Sequence, residues 1–266
     1  MDPSQTTFPT ISELPLVQSS EKWAWTLVET STREFWSGVD EEGQKWLVKM
    51  RGSFYALRER TFSVIAQNLG ISCQSSTFLQ LSSGSEPLKC IPGAAPEQLA
   101  TWFLSEHVIG SCGDKCPLRA SNEAFAAASD KVTSLKQSPI LNAVDWVRGE
   151  ILGYLCDMHE PPGKLVTTEH AFVQIDNEQM FTNAVADLWQ CHWLETNEND
   201  WSETGFEEAR NLCEAVAELP DAVIAQATDI PPDYAIEMLW DVPRQAGRIR
   251  DKAVSFLTDL KSIFGS

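Results

Sequence analysis

The regular alternation of the chain begins at Lys22. Trp23, Trp25 and Leu27 are separated by smaller or polar residues, the period-two signature of a strand with one buried face. Residues 30–33 are a polar turn, 35–39 a second apolar run, 40–44 a further turn, and 45–50 a third strand. Together they predict an antiparallel sheet of about three strands. The period then changes. Phe62, Ile65, Ala66 and Leu69 fall at helical spacing, Gly70 stops the helix, and Glu59 falls in its first turn. Residues 76–81 read as a short strand and 82–98 as a Ser-, Gly- and Pro-rich connection. Apolar segments flank Ser105-Glu106-His107, and a polar, Ala-rich stretch runs to about Gln137.

Ser138-Pro139 has the form of a helix start, an N-cap residue followed by proline at the first helical position. Leu141, Val144, Ile151, Leu152 and Leu155 mark one face of that helix, which ends near Asp157 before Pro161-Pro162-Gly163. Residues 173–176 form a short apolar strand closed by Asp176. Beyond Phe181 the pattern is helical. Residues 194–208 hold six acids and no base, a solvated loop or exposed face, and helices are predicted near 206–227 and 244–264. In the last of these Ile249, Ala253, Phe256, Leu257, Leu260 and Ile263 keep helical spacing. Strands, helix, strands and then a mostly helical half is the order of an α+β, two-lobed fold with a cleft between the lobes. Residues 1–20, rich in Ser, Thr and Pro, read as a flexible N-terminal arm, 21–110 as the N-lobe and 111–266 as the C-lobe.

Composition narrows the function. The 266 residues carry a net charge of -18, from 38 acids against 20 bases, which argues against nucleic acid and against an anionic membrane surface. No apolar stretch approaches the length of a membrane span, and no signal segment precedes residue 20. The seven cysteines are odd in number and scattered, as expected of reduced thiols in a cytoplasmic protein. Cys112 and Cys116, Cys156 with His159, and Cys191-His192 do not assemble a four-ligand zinc spacing, and no local signature supports a cysteine nucleophile.

Phosphoryl transfer needs a cation on a rigid strand, a carboxylate that fixes it, a carboxylate that orients the attacking hydroxyl and another that holds a metal. Lys49, Glu59, Asp157 and Asp176 supply these types in that order. The segments around them resemble the HipA-like kinases, a family of the protein-kinase-like superfamily related to the phosphatidylinositol kinases. Trp46-Leu47-Val48-Lys49 is similar to the family's strand lysine, and Glu59 with residues 66–71 to its helix glutamate and Leu-Gly-aliphatic end. Asp157-Met158-His159 is similar to Asp-Arg-His, and Ile175-Asp176-Asn177 with Phe181 to the metal-binding segment.

The resemblance implies a two-lobed kinase-like fold, with a small antiparallel N-lobe sheet and a mostly helical C-lobe. It implies ATP and Mg²⁺ as cofactors. Lys49 would hold the ATP phosphates, Glu59 would pair with it, and Asp157 would act as base. Asp176 with Asn177 would bind Mg²⁺, Ser31 and Thr32 would approach the phosphates, and Glu106 and His107 would lie near the adenine. The partner would be a protein substrate or a regulatory protein. Two departures stand out: Pro162 replaces the Asn that follows the family's catalytic Asp by five residues, and Met158 replaces its Arg. Two readings follow, an active serine/threonine protein kinase or a pseudokinase acting as a binding module.

Overall fold

The computed structural model describes residues 14–29, 34–49, 53–90, 97–102, 108–111, 141–142, 144–158, 163–167, 171–175, 180–181, 199–232 and 241–264. The first elements are the strands β1 (Val17–Ser19), β2 (Ala24–Glu29), β3 (Glu34–Val39) and β4 (Lys45–Lys49), then helix α1 (Ser53–Asn68). Strand β5 (Ser76–Gln80), helix α2 (Glu86–Cys90) and strands β6 (Glu97–Trp102) and β7 (Val108–Ser111) follow. The rest comprises α3 (Val144–Leu155), β8 (Gly163–Thr167), β9 (Phe172–Ile175), α4 (Asn199–Ala217), α5 (Asp221–Ala227) and α6 (Asp241–Phe264). No helix among the described residues is long and apolar enough to cross a membrane.

The three predicted strands are β2, β3 and β4, paired antiparallel in sequence order. They belong to a larger sheet of order β1-β5-β6-β4-β3-β2. That sheet is mixed, because β1, at the end of the predicted arm, joins β5 in parallel. The turn between β3 and β4 is organised by Asp40, whose Oδ1 accepts the N–H of Glu42 at 3.1 Å and of Gln44 at 2.7 Å. Its Oδ2 accepts the Trp46 indole N–H at 2.8 Å. Beneath the sheet, Trp23, Trp36, Trp46, Val48, Leu79, Leu81 and Val173 form one core, with Trp23 and Trp46 stacked at 6.1 Å.

Among the described residues, the second half carries a strand, β8, that its sequence pattern does not predict. A three-stranded antiparallel sheet of order β7-β8-β9 stands beside the helices. Strand β8 is short and follows Pro161-Pro162, so its alternation is masked by a loop signal. The helix predicted from Ser138 begins at Val144 instead. Leu141 lies in a turn and is 81% exposed. Asn142 sets the start: its Oδ1 accepts the Phe172 N–H, and its Nδ2 donates to Asp145 Oδ2 and to the Phe172 carbonyl. The helix predicted near 206–227 is two helices, broken where Pro220 stands at the N-cap of α5 in an extended conformation.

Helix α1 is buried along most of its length. It begins earlier than predicted, which puts Glu59 in its second turn, not its first. Every residue from Ala56 to Ala66 is buried, including Arg58, Glu59, Arg60, Thr61 and Ser63. Buried polar groups need partners. Arg60 and Thr61 find theirs at the end of α5, donating to the Gln226 and Ala227 carbonyls, both at 2.8 Å. Those carbonyls belong to the last turn of a helix, where acceptors lack intrahelical donors and a cation is favoured. Burial lowers the Arg60 guanidinium from its ordinary value, against Asp229, which raises it.

Candidate active site

The site is built where α3 stops. The Met158 N–H donates to the Gly153 carbonyl and the Asp157 N–H to that of Tyr154, the paired bonds of a Schellman termination. This motif requires a left-handed residue, and Asp157 occupies that position with φ 52°. The same motif ends α1, where Ile71 bonds to Ala66 and Gly70 to Gln67. There the left-handed position is filled by a glycine, Gly70, at φ 70°. Glycine adopts that conformation freely, whereas an L-residue is strained by roughly 1–2 kcal/mol, somewhat less for Asp. A carboxylate where glycine fits better is a sign that the side chain matters.

Phe181 is the other non-glycine residue with positive φ among the described residues, at 57°. The two strained turns are joined directly. The Phe181 N–H donates to the Cys156 carbonyl at 2.8 Å, and the Phe181 carbonyl accepts from Arg58 of α1 at 2.9 Å. The helix that carries Glu59, the turn that carries Asp157 and the turn at Phe181 therefore meet at one point.

Strand β9, which leads to Asp176, is held from both sides. Phe172 packs in the helical core, while Val173 packs in the core beneath the large sheet. Gln174 is fully buried between them. Its side-chain Nε2 donates to the Asp145 carbonyl at 3.0 Å, and its backbone exchanges bonds with Ser72 and Gln74. Gly149 of α3 is needed there, because a Cβ would come within 2.5 Å of the Gln174 amide.

Lys252 of α6 completes the neighbourhood. Its Nζ lies 2.5 Å from Asp157 Oδ1, donates to the Tyr154 carbonyl, and sits over the Tyr154 ring at 4.4 Å. It repeats a device seen elsewhere. The end of α1 is bound by Arg148 of α3, whose Nη2 donates to the Leu69 carbonyl at 2.5 Å, and the end of α5 is bound by Arg60. Three cations thus tie three helix ends to other helices.

Arg148 also faces Glu208 of α4, with Nε 3.9 Å from Oε2. Burial raises the Glu208 carboxyl above its ordinary 4.5, more than Arg148 lowers it, with Glu207 and Asp145 adding to the rise. A raised folded-state value means that the folded protein holds this proton more tightly than the unfolded chain. Its contribution to stability is full below pH 4.5 and is lost as pH rises through the higher folded value. Glu208→Gln is expected to flatten that part of the stability profile, read as urea midpoints from below pH 4.5 to neutrality.

Among the sequence-predicted residues, Lys49 is the last residue of β4, paired with Leu99 of β6. Glu59 is 2% exposed within α1, and Asp157 is half-buried. Ser31, Thr32, Glu106, His107, Asp176 and Asn177 lie outside the described residues, as do Cys112, Cys116, His159, Cys191 and His192. No grouping of three or more His, Cys, Asp or Glu side chains among the described residues could hold a metal. The Cys156 thiol is raised far above its usual range, chiefly by burial, and burial pushes Cys213 up to about 12. Neither has the thiolate character of a nucleophile. An open cleft of about 690 Å³, lined by residues including Gln18, Lys22, Trp23, Asp40, Glu42 and Trp46, contains none of the candidate residues. Arg58 and Lys252 were missed by the sequence reading, because neither carries a local signal and each acts across more than ninety residues of chain.

The chain matches no family model and no curated protein significantly. Solved structures do match. The Helicobacter pylori proinflammatory kinase CtkA aligns with a TM-score of 0.51 at 9% identity, over 86% of this chain and 94% of that one. The chain has a protein-kinase-like fold. The Golgi casein kinase aligns at 0.49 with 14% identity, over 91% of this chain and 72% of that one. Its form with Mn and ADP bound aligns at 0.44 with 12% identity, over 86% and 72%. The fold assignment rests on the first of these. On this kinase-like fold, the strained turn at Asp157 follows α3 and is joined through Phe181 to α1.

Proposed function

We propose that the protein is an ATP- and Mg²⁺-dependent serine/threonine protein kinase resembling the HipA-like group. The observation that carries this reading is the junction described above. On a kinase-like fold, α1 with Glu59, the left-handed turn with Asp157 and the segment following Asp176 are linked by Arg58, Phe181 and Cys156. In this reading Asp157 accepts the proton of a Ser or Thr hydroxyl while the hydroxyl oxygen attacks the γ-phosphorus of ATP. The bond from that phosphorus to the β–γ bridging oxygen breaks, and ADP leaves. Lys49 holds the ATP phosphates and Glu59 fixes Lys49, while Ser31 and Thr32 lie near the phosphates and Glu106 and His107 near the adenine. Asp176 and Asn177 would hold Mg²⁺, oxygen donors suited to that ion. Bound there, it would neutralise charge on the phosphates. The substrate is a protein, in the cytoplasm, where the unbridged cysteines Cys73, Cys90, Cys156 and Cys213 belong.

The second reading is a pseudokinase that binds a protein partner without transferring phosphate. Pro162 in the place of the family's Asn favours it, since proline offers neither an amide side chain nor an N–H. Titration with ATP, with and without Mg²⁺, and mass spectrometry of the products separate the two readings. The kinase reading expects Mg²⁺-dependent binding and addition of phosphate to the protein or a test substrate. It also expects Lys49→Met to remove transfer without changing thermal unfolding. A wild-type protein that transfers no phosphate overturns it in favour of the pseudokinase.

A further inference from the structure

The proposed mechanism accounts for Asp157 but not for its partner. Lys252 comes from the last described helix, 95 residues further along the chain, and its Nζ meets Asp157 Oδ1 at 2.5 Å. Its position is fixed from three directions. The Asp157 carboxylate, the Tyr154 carbonyl and the face of the Tyr154 ring all engage the ammonium group. The ring is in turn fixed against Phe256, one turn further along α6, at 4.9 Å.

A helix-end cap alone does not explain this arrangement. The Tyr154 carbonyl already accepts the Asp157 N–H at 3.1 Å within the helix termination. Nor does stability explain it. The Lys252 and Asp157 side chains are 26% and 37% exposed, and ion pairs with that much solvent around them add little to folding. What the pair does achieve is orientation. A carboxylate on a left-handed turn can rotate about its own side-chain bonds. An ammonium group held by an aromatic ring and a carbonyl removes that freedom. A carboxylate has about four lone-pair sites, so it can accept an ion pair at one oxygen and other donors as well. In phosphoryl transfer the protein contributes mostly by positioning and charge, so fixing this carboxylate is what the reaction needs.

We infer that Lys252 is the positioning residue for Asp157, supplied by the C-terminal helix to hold the carboxylate at the angle an acceptor hydroxyl requires. This rests on the kinase reading above. It makes the docking of α6 on α3 a condition of turnover as well as of folding. The residue type also matters. Arginine can keep the charge and reach the carboxylate, whereas methionine keeps the length and apolar packing and loses the ion pair.

The test compares the full-length wild type, Lys252→Met and Lys252→Arg by steady-state phosphoryl transfer at varied ATP and by thermal unfolding. Lys252→Met is expected to lower kcat by about 10–100-fold, the usual cost of losing a group that orients a catalytic side chain. The KM for ATP and the unfolding temperature should stay where they were, and Lys252→Arg should recover most of kcat. A Lys252→Met protein that turns over as the wild type does, or loses activity only in step with its folded fraction, overturns the inference and leaves the kinase reading intact. So does a failure of arginine to restore any activity while the protein remains folded. A wild type that transfers no phosphate overturns the kinase reading itself, and this role falls with it.

Discussion

Asp157→Asn is expected to lower phosphoryl transfer by about 10²–10⁴-fold, the range over which a positioned acid or base contributes. The substitution tests chemistry in near-isolation from structure. Asn matches Asp in size and, like Asp, tolerates the left-handed conformation that Asp157 adopts at φ 52°. The bonds from Asp157 and Met158 back to Tyr154 and Gly153 involve backbone only and survive the change. What is lost is the charge that meets Lys252 and that, in the proposed mechanism, accepts a hydroxyl proton. That ion pair is partly exposed and stabilises the fold by no more than about 1 kcal/mol. Asp157→Gly sharpens the comparison. It removes the carboxylate and also relieves the backbone, as Gly70 does in the identical termination of α1. It should therefore be as inactive as Asn while unfolding no more easily than the wild type. Transfer assays beside chemical denaturation read both quantities. Full turnover in either variant would remove Asp157 from the mechanism.

The sequence pattern reveals the elements that bury one face and expose the other. Strands β2, β3 and β4 are where the pattern puts them, and β4 alternates, with Trp46 and Val48 buried and Lys45 and Leu47 half-buried. In α6, Ile249, Ala253, Phe256 and Leu260 are buried on one face, and most of its polar residues are exposed on the others. Helix α1 is harder to read, because its polar face is buried too. Arg58, Arg60 and Thr61 look like solvent-facing residues until the distant carbonyls of Phe181, Gln226 and Ala227 are in place. That is why the pattern places the helix start too late and Glu59 too early in the helix. Strand β8 is hidden for a different reason, being five residues behind a proline pair. The place of Asp157 at the end of α3 is legible, because a carboxylate closing an apolar helix is visible in the sequence. Lys252 is not, because it is one charged residue among several in an amphipathic helix. The left-handed backbone of Asp157, which most distinguishes it from an ordinary turn residue, cannot be seen in the sequence at all.

Trp46→Ala should destabilise the protein by about 3–5 kcal/mol, the usual cost of removing a large aromatic side chain from a core. Trp46 is 1% exposed, so the space it vacates opens inside the protein and not at the surface. Three interactions fail together. The stack on Trp23 at 6.1 Å is lost, and Trp23 itself is held from the other side by Trp25, with ring centroids 5.6 Å apart. The indole N–H no longer reaches Asp40 Oδ2, so the side chain that shapes the β3–β4 turn loses one of its three bonds. The packing between Trp36, Val48, Leu79 and Val173 loses its largest member. Against a typical total of about 5–15 kcal/mol, such a loss leaves a substantial unfolded population in mild denaturant. The consequence extends to the proposed chemistry. Strand β4 ends in Lys49, and the same core holds Val173 of β9, the strand that runs to Asp176. Loosening this core therefore weakens the supports of the lysine proposed to hold nucleotide and of the carboxylate proposed to hold the metal. Chemical denaturation of Trp46→Ala should show the lower midpoint, and ATP titration should show weakened binding at temperatures where the protein is still folded. Wild-type affinity in a protein destabilised to that degree would mean that the tryptophan core and the nucleotide site are independent.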